Sequence, residues 1–148
     1  MSLKARLTED MKAAMRAKES ERLLTIRTLL AAIKQREVDE RIELSDEQVI
    51  GVVEKQVKQR KESITQFVNG NRQDLADKEL AELAILQDYM PEPLAEAEVD
   101  RLIQAAIAAT GAKDAKDMGK VVSHLRPALQ GRADMGSVSA KVKAALGA

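Results

Sequence analysis

Two prolines near the middle of the chain constrain its fold more than any other local feature. Pro91 and Pro93 follow Met90, and Tyr89, the only tyrosine, is expected to pack against the hinge that they form. Each proline ring removes a backbone N–H and restricts the residue before it, so no helix can run through both positions. Helical patterns lie on both sides. We therefore predict two domains, an amino-terminal helical domain of residues 1–90 and a small tail domain of residues 91–148.

The composition favours an all-α protein. Ala, Leu, Glu, Lys and Arg are abundant, whereas aromatic residues make up 1% of the chain, which is typical of helical proteins. Cysteine is absent, so disulfides, thiolate catalysis and cysteine-ligated metals are excluded. Residues 1–12 carry charges and no apolar run, unlike a signal peptide, and no stretch is long enough to span a membrane. We predict a cytoplasmic location and no membrane contact.

About four helices are predicted in the amino-terminal domain, because apolar residues recur there at three- and four-residue steps. The first two cover residues 2–18 and 20–41, and Ser20 is the expected cap of the second. The third begins with a capping box, Ser45-Asp46-Glu47-Gln48, and is expected to end at Gly70 in a left-handed conformation. Asn71 is the expected cap of the fourth helix, which is predicted to bury Leu80.

Three shorter helices are predicted in the tail domain, over residues 94–110, 116–130 and 136–146. Pro127 falls inside the second of them. Its ring removes one hydrogen-bond donor and clashes with the carbonyl of Ser123, so we expect a kinked or split helix there. The predicted fold class is therefore all-α, with a helical amino-terminal domain and a three-helix tail.

Charge is balanced over the whole chain but uneven within the tail. The formal net charge is +0 at pH 7, so bulk charge indicates no affinity for nucleic acid or membranes. Residues 91–100 carry four carboxylates and no basic residue, whereas residues 101–148 carry eight Lys and Arg against three Asp. This basic far end can attract a phosphate backbone. A solvated surface that aids solubility is the alternative.

Basic residues also recur on two helices of the amino-terminal domain. Arg27, Lys34 and Arg41 are seven residues apart. They can edge a groove, although flanking positions of a packed helix have the same spacing. The third helix carries a second cluster, which an exposed face held by ion pairs explains better than a binding site. This cluster consists of Lys55, Lys58, Arg60 and Lys61.

No group of residues in the sequence predicts catalysis or metal binding. His124 is the only histidine and has no second ligand at metal spacing on its helix. Gly119 precedes a lysine, but the upstream glycine and the strand of a phosphate loop are missing, so Gly119 indicates close helix packing or a helix start. Glu79 and Glu82 share a helical face and are expected to form surface pairs. We predict no catalytic residues, no metal and no cofactor.

Three blocks of the sequence resemble the GatB/YqeY family. The first is Arg-Gln-Asp-Leu-Ala at residues 72–76, followed by Glu79, Glu82 and Leu83. The second is Leu-Gln-Asp-Tyr-Met-Pro at residues 86–91. The third runs from Asp-Met-Gly-Lys-Val at 117–121 through Gly-Arg-Ala-Asp at 131–134 to Val138-Ser139. In this order they look like the stand-alone, YqeY-like members of the family. One departure is Ala95, where relatives often place a capping serine.

This resemblance implies a role in translation. The related domain is the tail of the B subunit of the glutamine-dependent aspartyl/glutamyl-tRNA amidotransferase, a carbon–nitrogen ligase with glutamine as amido-N-donor, and there it helps to bind tRNA. Similar domains are appended to glutaminyl-tRNA synthetases. The resemblance thus implies a tRNA-binding accessory module that is not catalytic by itself. The residues expected to meet phosphates are Lys113, Lys116, Lys120, Arg126, Arg132, Lys141 and Lys143.

Two alternatives to tRNA binding stay open at this point. One is a protein–protein adaptor that docks an aminoacyl-tRNA synthetase or an amidotransferase subunit. The other is a free-standing amidotransferase or other enzyme, which is the less favoured because the sequence shows no reactive group of residues, and neither a glutaminase site nor an ATP site.

Overall fold

The computed structural model describes residues 1–147. They contain seven α-helices, one short 3₁₀-helix and no strand. The all-α prediction is confirmed. The helices pack as two compact units, one of Met1–Met90 and one that starts at Pro91. Division into two domains stays a prediction, because close packing within a unit does not show that the unit folds alone.

Four helices build the amino-terminal unit: α1 (Leu3–Arg16), α2 (Ser20–Glu40), α3 (Asp46–Asn69) and α4 (Gln73–Gln87). Helix α1 packs along α2, and α3 packs along α4. Their apolar stripes meet in one core, and each fully buried Leu or Ile there contributes about 1.5–3 kcal/mol. The buried residues include Leu7, Ile26, Leu29, Ile33, Val49, Val53, Leu86 and Tyr89.

Helix α3 begins with the predicted capping box, which is confirmed. Ser45 Oγ accepts a hydrogen bond from the Gln48 N–H at 3.3 Å, and Gln48 Oε1 accepts one from the Ser45 N–H at 2.9 Å. The neighbouring Asp46 also accepts a hydrogen bond, at 2.9 Å, from the backbone N–H of Leu3. The start of α1 is therefore held against the start of α3.

Two other helix ends differ from the prediction. Ser20 is the first residue of α2, and Glu19 takes the N-cap position without a side-chain hydrogen bond. After α3, Gly70 has φ −88° and the left-handed residue is Asn71, with φ 58°. Asparagine tolerates this conformation because its short polar side chain can hydrogen-bond locally. Asn71 therefore makes the turn, and Arg72 takes the N-cap position of α4.

Leu80 was predicted to be buried, and this is wrong, because 45% of the residue is exposed. Helix α4 buries Ala76, Leu83 and Leu86. The buried stripe is narrow, so a leucine at its edge reaches solvent although its spacing fits the helical pattern.

The tail unit contains α5 (Glu96–Thr110), a 3₁₀-helix (Ala115–Asp117), α6 (Met118–Leu129) and α7 (Met135–Ala145). Helix α6 packs against both α5 and α7, and α5 also contacts α7. The three α-helices enclose a separate apolar core. Its buried members include Val99, Ile103, Val121, Leu125, Leu129, Val138 and Val142.

Pro127 does not split its helix, contrary to one form of the prediction, because α6 runs unbroken from Met118 to Leu129. Pro127 lies in the last turn, and both it and Ser123 are exposed. The carbonyl of Ser123, which loses its usual donor, can therefore be hydrated. Gly119 is the second residue of α6, and a Cβ atom there would meet nothing within 4 Å. Of its two predicted roles, the helix start is confirmed and close packing is wrong.

Candidate nucleic-acid interface

The segment between α5 and α6 is folded by two aspartates. Gly111 ends α5 in a left-handed conformation with φ 67°. Asp114 Oδ1 then accepts a hydrogen bond from the Lys116 N–H at 2.9 Å, and Asp117 Oδ2 accepts one from the Lys113 N–H at 3.0 Å. These bonds form a tight turn that leads into the 3₁₀-helix. Both lysine side chains on it are exposed.

Lys120 joins these two lysines from the first turn of α6. Its Nζ atom lies 3.8 Å from Asp117 Oδ1, and 70% of the side chain is exposed. We call Lys113, Lys116 and Lys120 the lysine corner. The pKa of Asp117 is lowered, chiefly by the hydrogen bond from the Lys113 N–H and further by the charges of Lys120 and Lys113. Asp117 is therefore a carboxylate at neutral pH.

The lysine corner keeps a positive balance. Its three cations lie beside two carboxylates, Asp114 and Asp117, each of which accepts a hydrogen bond from a backbone N–H of the turn. The amino terminus of α6 adds a partial positive charge at the same place. The arrangement suits a phosphate group, which both the lysines and the helix terminus attract.

Arg126 and Lys143 are also exposed. Arg126 follows Lys120 by six residues, which places the two side chains about 120° apart around α6. Lys143 is in the last turn of α7. Among residues 1–147, neither Arg126 nor Lys143 forms an ion pair. Both are available to an anion, and Arg126 projects from another side of α6 than Lys120.

Lys141 and Arg132 are held by residues of their own unit. Lys141 Nζ lies 3.0 Å from Glu96 Oε1 and 2.8 Å from Asp100 Oδ1, so it joins α7 to α5. The hydrogen bonds that Lys141 donates to Asp100 and Glu96 raise the pKa of Lys141. Arg132 Nε donates a hydrogen bond to the carbonyl of Glu92 at 3.1 Å. Thus the side chains of Lys141 and Arg132 are engaged within the tail unit, whereas the lysine corner, Arg126 and Lys143 stay exposed.

In the amino-terminal unit, Arg60 and Glu82 form a pair that sequence reasoning missed. Arg60 Nε lies 3.5 Å from Glu82 Oε2, and the side chains are only 16% and 12% exposed. The pair joins α3 to α4. The predictions that Arg60 belongs to an exposed face and that Glu82 forms a surface pair are therefore wrong. Opposite charges on two helices were the available signal, but many such combinations occur in this chain.

The part of the chain that the structure describes offers neither a metal site nor a membrane span. No group of three or more His, Cys, Asp or Glu side chains in residues 1–147 could hold a metal ion. None of the helices there is both long and apolar enough to cross a membrane. His124, on α6, is exposed.

Comparison with known proteins gives one family and a set of curated relatives. The family described as "Yqey-like protein" matches residues 4–146. The chain is 35% identical to "Altered inheritance of mitochondria protein 41, mitochondrial" of Pyrenophora tritici-repentis, over 97% of this chain and 80% of that protein. Proteins of the same name in Kluyveromyces lactis and Saccharomyces cerevisiae are 44% and 36% identical, over 57% and 64% of this chain. Those two matches span 46% and 51% of the relatives.

The names of these relatives contradict the predicted cytoplasmic location. All three are named as mitochondrial proteins. The prediction depended on the absence of cysteine, which excludes disulfides but does not distinguish one reducing compartment from another. The names point to mitochondria rather than to the cytoplasm.

Proposed function

The chain belongs to the Yqey-like protein family, and we propose that it is a non-catalytic accessory module that binds tRNA through its tail unit. The observation that carries this proposal is the lysine corner, where three exposed or partly paired cations meet the amino terminus of α6. Phosphate contacts of this kind supply most of the affinity of proteins for nucleic acids without sequence preference.

The relation to the tail of the tRNA amidotransferase B subunit is part of the same proposal. Its support is the resemblance of residues 72–76, 86–91 and 117–139 to the GatB/YqeY pattern. In this proposal the carbon–nitrogen ligase chemistry belongs to a partner enzyme, and the chain presents or retains the tRNA. An aminoacyl-tRNA synthetase or an amidotransferase subunit is the proposed protein partner.

Replacement of the lysine corner tests the proposal. We expect K113A/K116A/K120A to weaken binding to total tRNA, because three phosphate contacts are lost. The slope of log K against log salt concentration should become shallower by roughly two to three. Fluorescence anisotropy of labelled tRNA, at low and near-physiological salt and with double-stranded DNA as competitor, measures both quantities.

The matched control is K58A/K61A/K78A, which removes three exposed lysines from α3 and α4 of the other unit. We expect it to bind tRNA like the native protein. Equal affinities of the two triple variants would remove the lysine corner from the interface. A complex with protein from lysate that survives nuclease and high salt, without any tRNA binding by the purified chain, would favour the adaptor alternative.

A further inference from the structure

The outward side of α2 carries apolar residues that no part of the described chain covers. Leu24, Ala31 and Val38 are seven residues apart. Leu24 is 56% exposed and Val38 is 59% exposed, and Ile42, just beyond the helix end, is 41% exposed. Thr28 and Gln35 fall between them. From Leu24 to Val38 the steps of four, three, four and three residues are those of the contact positions in a coiled coil. Ile42 lies four residues further on, beyond the left-handed Arg41 that ends the helix. We call these six residues, Leu24, Thr28, Ala31, Gln35, Val38 and Ile42, the α2 seam.

One edge of the α2 seam is basic. Arg27, Lys34 and Arg41 each precede a seam residue and are exposed. Among residues 1–147, none of the three forms an ion pair with a carboxylate. Arg27 Nη2 contacts the sulfur of Met15 at 3.9 Å. In a coiled coil the positions beside the seam select the partner by charge, so this edge favours a partner with carboxylates.

The end of the α2 seam opens into a groove of roughly 440 Å³ beside the start of α1. Val38 and Ile42 supply its apolar lining, and Lys34 and Arg41 also line it. The groove also contains Glu37 and Glu43, but both lie near Lys4. The Lys4 Nζ atom is 2.7 Å from Glu37 Oε2 and 3.6 Å from Glu43 Oε1. The groove lining thus carries three cations against two carboxylates, although the charge of Lys34 also helps to lower the pKa of Glu37.

We propose that the α2 seam docks an acidic amphipathic helix of a partner protein. The exposed leucine, valine and isoleucine require apolar side chains opposite them, which a phosphate backbone does not provide. The three cations require carboxylates beside those apolar side chains. A helix with a Leu- or Ile-rich stripe flanked by Asp and Glu supplies both. This surface belongs to the amino-terminal unit and does not depend on tRNA binding by the tail.

A second copy of the chain fits the α2 seam less well. The opposite edge of the seam holds Thr25, Ala32 and Asp39. Thr25 is 2% exposed, and Asp39 already accepts a hydrogen bond from Gln35 Nε2 at 2.9 Å. Another α2 would therefore offer one carboxylate to three cations. Its own basic edge would oppose the first in an antiparallel arrangement, which is unfavourable.

A designed peptide tests the proposal with the full chain. The probe is a fluorescein-labelled helix of three heptads, with Leu and Ile at the contact positions and Glu at the flanking positions. A peptide with Lys in place of Glu is its control. We expect the native protein to bind the acidic peptide at least about tenfold more tightly than the basic one. We expect R27E/K34E/R41E to reverse this preference, and L24D/V38D to weaken binding by about tenfold or more.

Matched variants show whether the effect is local. V68D/L80D changes two apolar residues that are 47% and 45% exposed on other helices, and K58E/K61E/K78E makes the same change in net charge as R27E/K34E/R41E. Both should bind the acidic peptide as the native protein does. Equal binding by native protein and L24D/V38D overturns the proposal. A native dimer in sedimentation that L24D/V38D dissociates would make a second copy the occupant. If R27E/K34E/R41E lost affinity for tRNA as well as for the acidic peptide, the occupant of the α2 seam would be RNA.

Discussion

At the scale of single residues, Tyr89 makes the most specific polar contact in the amino-terminal core. Its ring is buried, and its hydroxyl donates a hydrogen bond to Asp10 Oδ2 at 2.6 Å. The guanidinium carbon of Arg6 lies 4.8 Å from the ring centroid, within the range of a cation–π contact. Burial, together with the hydrogen bond and the negative charge of Asp10, raises the pKa of Tyr89 to about 12. The end of α4 is thereby joined to α1.

We expect the single tyrosine to titrate near pH 12 in the folded protein and near pH 10 in urea. Because the folded state holds this proton more tightly, the stabilisation is present in full below pH 10 and is lost as the pH rises towards 12. Absorbance of tyrosinate at increasing pH measures the midpoint directly, since the chain contains one Tyr and no Trp.

The variant Y89F supplies the control for this titration. Its free energy of unfolding should be lower at neutral pH, by about 1–3 kcal/mol for the lost hydrogen bond to a carboxylate. Between pH 10 and 12, the free energy of unfolding of Y89F should also fall less than that of the native protein. A native midpoint near 10 would show that the hydroxyl is not held by Asp10.

At the scale of helices, the two units contain helix starts of different quality. Ser45 caps α3 through a complete capping box. Ala95 occupies the same position on α5, with φ −62° and ψ 147°, and makes no side-chain hydrogen bond. This extended conformation is the one that a capping serine adopts. The start of α3 is therefore fully capped, whereas the start of α5 lacks a side-chain cap.

We expect S45A to destabilise the protein by about 1 kcal/mol and A95S to stabilise it by about 0.5–1 kcal/mol. Removal of the serine leaves the N–H of Gln48 without its acceptor, whereas a new serine provides one for the first turn of α5. Urea denaturation at 25 °C measures both changes. A105S, at an exposed position in the middle of α5, is the control and should cost a few tenths of a kcal/mol. Stabilisation by A105S equal to that by A95S would rule out capping as the cause.

At the scale of the whole molecule, each unit has its own apolar core. Tyr89 is the last buried residue of the amino-terminal core. Leu94 is the first residue that packs against the tail core. Two hydrogen bonds attach the proline segment to the tail. The Leu94 N–H donates to the carbonyl of Arg132 at 2.9 Å, and Arg132 Nε donates to the carbonyl of Glu92 at 3.1 Å. These contacts hold Glu92 and Leu94 within the tail unit, which starts at Pro91.

We expect residues 1–90 and 91–148 to fold as separate fragments. Each should show helical circular dichroism and a cooperative thermal transition. The tail should be the less stable because a smaller chain buries a smaller fraction of its surface. Circular dichroism and calorimetry of both fragments and of the full chain measure this, with a mixture of the fragments as control. A fragment that is unfolded alone, beside a single transition of the full chain, would show one domain instead of two.

The sequence alone determined the features that depend on neighbouring residues. The all-α class, the helix break at Pro91 and Pro93 and the capping box at Ser45 arise from contacts within about four residues of the chain, and such contacts can be read from spacing. The lysine corner is partly of this kind, because Lys113, Lys116 and Lys120 lie within a short turn that Asp114 and Asp117 fold. The turn after α3 shows a limit even for local features. Both Gly70 and Asn71 suit a left-handed conformation, and it is Asn71 that adopts it.

Only the tertiary structure decided which charges are free and which are used for packing. Lys141 is held by Glu96 and Asp100, and Arg60 by Glu82, through contacts between helices. The exposure of Leu80 and of the α2 seam likewise depends on which face of each helix its neighbours cover. Spacing gives the direction of a side chain around its own helix, but its partner depends on the rotation and crossing of another helix, which the packing of the whole unit fixes.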